Sequence, residues 1–329
     1  MNSTTPTPTP TGPLALIAAD MQAVDRVIAQ RLNTGVPLVG SVCEYIISAG
    51  GKRLRPALAL LTSGALSYQG TDRFTLAAVV EFIHTATLLH DDVVDESKLR
   101  RGRATANELF GNAASVLVGD FLYSRAFQMM VEVGHMRIME ILADATNTIA
   151  EGEVLQLMNM HDATLSREGY LRVIRSKTAK LFEASARLPC ITSGAPSHLE
   201  DACAEYGQAL GTAFQVIDDV LDYDGDEDAL GKNLGDDLRE GKVTLPLIHA
   251  LESTQGADHA LLVEAIQHAS DDQLPRVLEL IHATGGVTAA RLAAESEAKR
   301  AIEAARRLPP NPYQAALIEL ASSLLNRQN

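Results

Sequence analysis

The chain has 329 residues, 46% of them hydrophobic and 21% charged, with a net charge of −14. That is enough for one large domain or two ordinary ones, and the negative balance argues against nucleic acid or an anionic membrane surface as the main partner. Aromatic residues make up 4% and there is no Trp, while Ala and Leu dominate, so the composition leans to an all-helical fold.

The cysteines Cys43, Cys190 and Cys203 show no metal-ligand spacing, which predicts reduced thiols and a cytoplasmic protein. No apolar run reaches the roughly 18 residues of a transmembrane segment. The first residues lack the basic stretch of a signal peptide.

Residues 1–13 alternate Thr and Pro and are expected to be a disordered tail, with one domain over 14–329. Leu14, Ile17, Met21, Val24, Ile28 and Leu32 are spaced as an amphipathic helix, ended by Asn33 to Pro37. A second helix runs to about Ser48, followed by Gly50-Gly51-Lys52-Arg53-Leu54-Arg55-Pro56. Its glycines allow close backbone approach, but the spacing is not that of a Walker A loop. Taken alone it reads equally as a helix C-cap with basic residues on the helix dipole; beside the two acidic motifs of this chain, an anion site is the better reading.

A central helix from about Phe74 ends in Leu88-Leu89-His90-Asp91-Asp92-Val93-Val94-Asp95. At 100° per residue His84, Leu88, Asp91 and Asp95 fall within about 60° of one another and share one face. Two carboxylates about 4 Å apart repel by about 4 kcal/mol at an effective dielectric near 20, so a cation or a proton is needed there. An all-oxygen set suits Mg2+ where phosphate completes the shell. Arg100 and Arg101 follow, with guanidinium forks that match phosphate oxygens or else neutralise the nearby aspartates.

Helices are expected over Ala113 to Met130 and Met139 to Met160, the latter with a polar strip at Glu151, Glu153 and Gln156. Another, Leu171 to Leu188, carries Arg175, Lys177, Thr178 and Lys180. A second acidic motif, Asp218-Asp219-Val220-Leu221-Asp222, repeats the first spacing after an apolar helical stretch, and Gln215 shares a face with Asp218 and Asp222. The loop Asp222 to Asp228 imitates an EF-hand but has Glu227 at the glycine position and Asn233 at the last ligand position. Lys232 and Lys242 lie just beyond. The remainder reads as scaffold helices broken at Pro246, Pro275, Gly285-Gly286 and Pro309-Pro310. No linker divides the chain after the tail, so a single all-α domain, an antiparallel helical bundle, is the simplest reading.

Taken in order, these motifs, with Glu151-Gly152-Glu153-Val154-Leu155-Gln156-Leu157, Ser176-Lys177-Thr178-Ala179, Phe214-Gln215-Val216-Ile217 and Gly231-Lys232-Asn233-Leu234-Gly235-Asp236-Asp237, resemble the trans-isoprenyl diphosphate synthases. The resemblance covers essentially everything after the tail. It implies the isoprenoid synthase fold, a bundle around a deep central cavity working as a homodimer. Asp91, Asp95 and Asp218 would bind Mg2+, three ions with the allylic diphosphate, supported by Asp92, Asp219 and Asp222. Arg100, Lys177 and Lys232 would hold the allylic diphosphate, with Thr178, Gln215 and Lys242 nearby. Lys52, Arg55, His84 and Arg101 would bind isopentenyl diphosphate, although His84 alone would read as a satisfied core histidine.

The implied reaction joins isopentenyl diphosphate head-to-tail to an allylic diphosphate such as farnesyl diphosphate. The released diphosphate takes the proton, so no side-chain base is named. Small residues at Ala86 and Thr87, one turn before the first motif, imply an open cavity and a long all-trans product, C40 being favoured, for quinone side chains. Transient membrane contact during product release is left open. Lys98 stands where an acid is expected in close relatives. The rivals are a polyprenyl synthase of another chain length, a class I terpene cyclase, a non-catalytic synthase subunit, and simple Ca2+ binding by the acidic loop.

Overall fold

In a computed structural model of the chain the described residues are 12–48, 50–100, 102–224, 234–269 and 271–325. Gly12 and Pro13, expected in the tail, open a 3-10 turn (Gly12–Ile17) whose Ile17 is buried. Residues 1–11 lie outside the described set. The turn leads into α1 (Ala18–Leu32), α2 (Pro37–Ser48), α3 (Leu54–Ala65) and α4 (Asp72–Val94). A two-residue hairpin, β1 (Leu99–Arg100) and β2 (Arg103–Ala104), pairs Leu99 with Ala104 and Arg100 with Arg103. Then come α5 (Ala106–Phe110), α6 (Asn112–Val133), α7 (Met136–Met158) and α8 (Arg167–Ile174). A π turn (Arg175–Ala179) joins α8 to α9 (Lys180–Ser193), and α10 (Ser197–Asp224) follows.

The helix expected without interruption over Leu171 to Leu188 is therefore divided by a π turn. Its backbone presses on α7 at Gly152, where a Cβ would lie 2.7 Å from the Lys177 nitrogen. Glycines also bring α10 against α9: a Cβ at Gly207 would stand 2.5 Å from the Phe182 carbonyl oxygen, and one at Gly211 2.7 Å from Ala179 Cα. Close helices gain many small dispersion contacts. Of the prolines expected to break the C-terminal helices, Pro246 and Pro275 lie in the first turns of Leu245–Ser253 and Leu274–Ala283, as Pro312 does in Pro312–Leu324, whereas Pro309-Pro310 falls between Gly286–Arg306 and that last helix. In a first turn the missing N–H is one the helix could not have bonded.

Helix Gly286–Arg306 lays Ala290, Ala294, Ala298, Ala301 and Ala305, all buried, against the bundle. With α10 it runs through two apolar cores, one built on α3, α4, α6, α7 and α9, the other on the second half of α10 and the helices after it. Among the described residues no helix is long and apolar enough to cross a membrane. Both acidic motifs stand at C-terminal helix ends, the first closing α4 and the second closing α10.

Candidate active site

A helix C-terminus carries partial negative charge, so acids there raise the local demand for cations. The strip His84, Leu88, Asp91 and Asp95 on α4 is half-buried, as the face predicted from its spacing requires. Between these residues the neighbours Phe82, Ile83, Ala86 and Leu89 are in the core. Ala86 is thus fully buried, whereas Thr87 is half-buried and turns its hydroxyl to the His84 carbonyl at 2.8 Å.

The three acids of the first motif meet different partners. Lys177 Nζ lies 3.9 Å from Asp91 and 2.6 Å from Glu153 of α7. Burial raises the Asp91 carboxyl, Lys177 opposes that, and the neighbouring Asp95 charge adds to it. Glu153 is pushed up to about 7 by burial, with Lys177 opposing and Asp91 adding. Asp95 accepts from Lys242 Nζ at 2.9 Å, which also donates to Glu240 at 2.5 Å. Burial pulls the Lys242 ammonium down, but Glu240, Asp95 and Asp237 together hold it above its ordinary value. Asp92 turns inward, where Arg100 Nε and Nη2 both donate to its Oδ1 at 2.9 and 2.6 Å. The hairpin's register places Arg100 there, so it neutralises an aspartate in this structure. Asp92 Oδ2 is buried and has no hydrogen-bond partner among the described residues.

In the second motif Asp218 is half-buried, while Asp219 and Asp222 are in the core. Gln215, on the face of Asp218 and Asp222, donates to Asp219 Oδ1 at 2.7 Å. On the other side of that carboxylate the Tyr170 hydroxyl of α8 donates to Asp219 Oδ2 at 2.5 Å. Gln215 in turn accepts from Thr178 at 2.9 Å. Burial raises the Asp219 carboxyl to about 7 against these hydrogen bonds, with Asp218 and Asp222 adding to the rise. Asp222 accepts the Asp237 backbone N–H at 3.1 Å. Lysines and one network therefore join the two motifs: Lys177 and Thr178 of the π turn reach α4 and α10, and Lys242, after the second motif, reaches back to α4.

The basic stretch before α3 splits. Lys52 is exposed, and Arg53, with φ 46°, turns to Asp25 and to Glu81 at 3.5 Å. Arg55 points inward, its guanidinium 4.5 Å from the Phe182 ring centroid. Burial lowers it to about 10, with Glu81 and Asp91 opposing. A half-buried cation over an aromatic face and near two acids is a place for an anion of matching size. Arg101 and Lys232, and the end of the acidic loop from Gly225, lie outside the described residues.

Glu153 belongs to the polar strip expected on α7, with no role assigned to it, and Glu81 and Tyr170 are additions to the expected site residues. Glu81 was legible, since its spacing to His84, Leu88 and Asp91 continues the same face. Tyr170 was not, because one aromatic on a short amphipathic helix looks like core. A separate cavity of about 140 Å3 sits near the other end of α4, lined by Tyr68, Gln69, Arg73 and Tyr313 among others.

The polyprenyl synthetase family matches residues 36–281. Octaprenyl diphosphate synthase of Escherichia coli is 51% identical over 313 residues, 95% of this chain and 97% of that protein. The all-trans-nonaprenyl-diphosphate synthase of Rhodobacter capsulatus, described as geranyl-diphosphate specific, is 42% identical over 95% of this chain and 97% of its own length. Among solved structures, a polyprenyl synthase from Caulobacter crescentus, complexed with calcium and isoprenyl diphosphate, superposes with a TM-score of 0.93 at 44% identity, covering 98% of this chain and 100% of that one. A decaprenyl diphosphate synthase from Rhodobacter capsulatus gives a TM-score of 0.91 at 46% identity, covering 96% and 98%. With its two acidic motifs in this frame and its relatives matched over nearly their whole length, the chain belongs to the polyprenyl synthetase family.

Proposed function

We propose that this chain is a Mg2+-dependent trans-prenyltransferase that adds isopentenyl diphosphate head-to-tail to an allylic diphosphate such as farnesyl diphosphate, making a long all-trans polyprenyl diphosphate, the C40 octaprenyl compound, for quinone side chains. The observation that carries the reading is the pair of acidic motifs closing α4 and α10, each at the negative end of its helix, with Lys177 and Lys242 set on the aspartates of the first. The E. coli relative at 51% identity supports eight isoprene units.

The donor set fits Mg2+. Asp91, Asp95 and Asp218 offer half-buried carboxylate oxygens, the hard ligands that ion takes. Among the described residues no three His, Cys, Asp or Glu side chains converge to hold an ion unaided. Asp91, Asp95 and Asp218 would hold three ions once the allylic diphosphate is bound. When bound, the ions neutralise the oxygens on which charge collects as the allylic C–O bond breaks.

Lys177 and Lys242 are side chains that exchange a carboxylate for a phosphate oxygen. Arg100, Lys232, Thr178 and Gln215 complete this side, although Arg100 must shift its fork from Asp92 to touch phosphate. Arg55, with Lys52, His84 and Arg101, holds the second diphosphate. The carbon left by departure of the first is attacked by the alkene of isopentenyl diphosphate. The proton goes to the released diphosphate, so the chain supplies no base. Asp92, Asp219 and Asp222 act behind the metal face through the partners described above. Closing the site against water protects the allylic cation.

A homodimer is part of the proposal. Leu109, Val116, Leu117 and Val131, exposed along α5 and α6, supply apolar surface for a second copy. The three cysteines are free thiols, which supports a reducing compartment, the cytoplasm. The test is incorporation of labelled isopentenyl diphosphate into farnesyl diphosphate while Mg2+ is varied. Incorporation should rise with Mg2+, stop on chelation and return on readdition. Incorporation that survives chelation would contradict the assignment of the two motifs.

A further inference from the structure

Three side chains from three elements meet behind Asp218. Tyr170 of α8, 3% exposed, donates to one oxygen of Asp219, which is 5% exposed. Gln215 donates to the other oxygen, and its amide oxygen accepts from Thr178 of the π turn. Both Asp219 oxygens are engaged, so this carboxylate is turned away from the face that Asp218 presents. The Gln215 amide has one orientation that serves both neighbours, nitrogen toward Asp219 and oxygen toward Thr178. Thr178 adjoins Lys177, the cation that reaches Asp91. The π turn is tied at its start as well, by Arg175 to Glu297 at 2.8 Å.

We infer that Tyr170 is a positioning residue for the allylic diphosphate site: through Asp219 and Gln215 its hydroxyl sets the register between the second acidic motif on α10 and the π turn that carries Lys177 and Thr178. The inference rests on the proposed prenyltransferase reading. A buried network with every member satisfied holds one geometry, and loss of one donor releases its partners together. Tyr170 is buried with its hydroxyl on Asp219, while Arg55 lies on α3. Loss of that hydroxyl should therefore weaken one diphosphate site and spare the other.

The test is Tyr170→Phe, which removes one oxygen and keeps the ring. The KM for farnesyl diphosphate and the Mg2+ concentration at half-maximal rate should each rise at least about fivefold. The KM for isopentenyl diphosphate should stay within about twofold. The dissociation constant of an unreactive thio analogue of farnesyl diphosphate, measured calorimetrically with Mg2+, should rise with the first KM. In a double-mutant cycle with Asp219→Asn the two losses should be strongly non-additive, because Tyr170 acts through that residue. Equal shifts in both KM values, additive losses, or unchanged analogue binding would overturn the inference. If Tyr170→Phe does not fold, 4-fluorophenylalanine installed at position 170, which fills the place of the hydroxyl without donating, is read in the same way, and a uniform loss there overturns the inference. Wild-type protein runs alongside: no condensation by wild type sinks the enzyme reading, whereas active wild type with an unchanged variant sinks only the role of Tyr170.

Discussion

Glu153 shares Lys177 with Asp91, and the balance among the three can be measured without any substrate. Burial holds the Glu153 carboxyl near 7, against an ordinary value of 4.5. The folded chain therefore binds this proton more tightly than the unfolded chain does. Its contribution to stability is fully present below about pH 4.5 and is lost as pH rises through 7. Glu153→Gln removes that titration, so the fall in stability between pH 5 and 7, read by urea unfolding in metal-free buffer, should become shallower. An unchanged slope would mean that the Glu153 carboxyl keeps its ordinary affinity for protons. Asp219 titrates in the same direction and leaves a residual slope in the variant.

The π turn and the helices beside it depend on residues that have no side chain. Gly207 places α10 so close to α9 that a methyl group would press on the Phe182 carbonyl, which backbone geometry keeps from yielding. Gly207→Ala should destabilise the fold by about 1 to 3 kcal/mol, measured by chemical denaturation, as overpacking does elsewhere. A neutral or stabilising result would contradict the helix spacing. This level is also where sequence reading ran out. The face of α4 was legible because spacing alone fixes it, and so was the existence of nearly every long helix. The π turn was not, since Arg175 to Ala179 look like ordinary helix until Gly152 and Gly211 are seen to press on it. Nor was the hydrogen bond from Gln215 to Asp219, because spacing puts Asp218 and Asp219 equally within reach.

For the whole molecule, the question raised by the proposed function is how far a product can grow between the helices that carry the two acidic motifs. Curated relatives named for eight and nine isoprene units match this chain at 51% and 42% identity, and a solved structure named for ten at 46%. All make long chains, and Ala86 and Thr87 leave no large side chain one turn below Asp91. Thr87 is the more open of the two, while Ala86 is packed on the core side, so a ring placed at 86 must displace a neighbour to enter the path. The measurement that bears most directly on the account is the length of the product. Purified protein is given farnesyl diphosphate, labelled isopentenyl diphosphate and Mg2+, and the products are sized after the phosphates are removed. The account expects a ladder ending at C40 for the wild type and a shorter limit for Ala86→Tyr. A wild-type product that stops at C15 or C20, a cyclic hydrocarbon, or no incorporation by folded protein would contradict it.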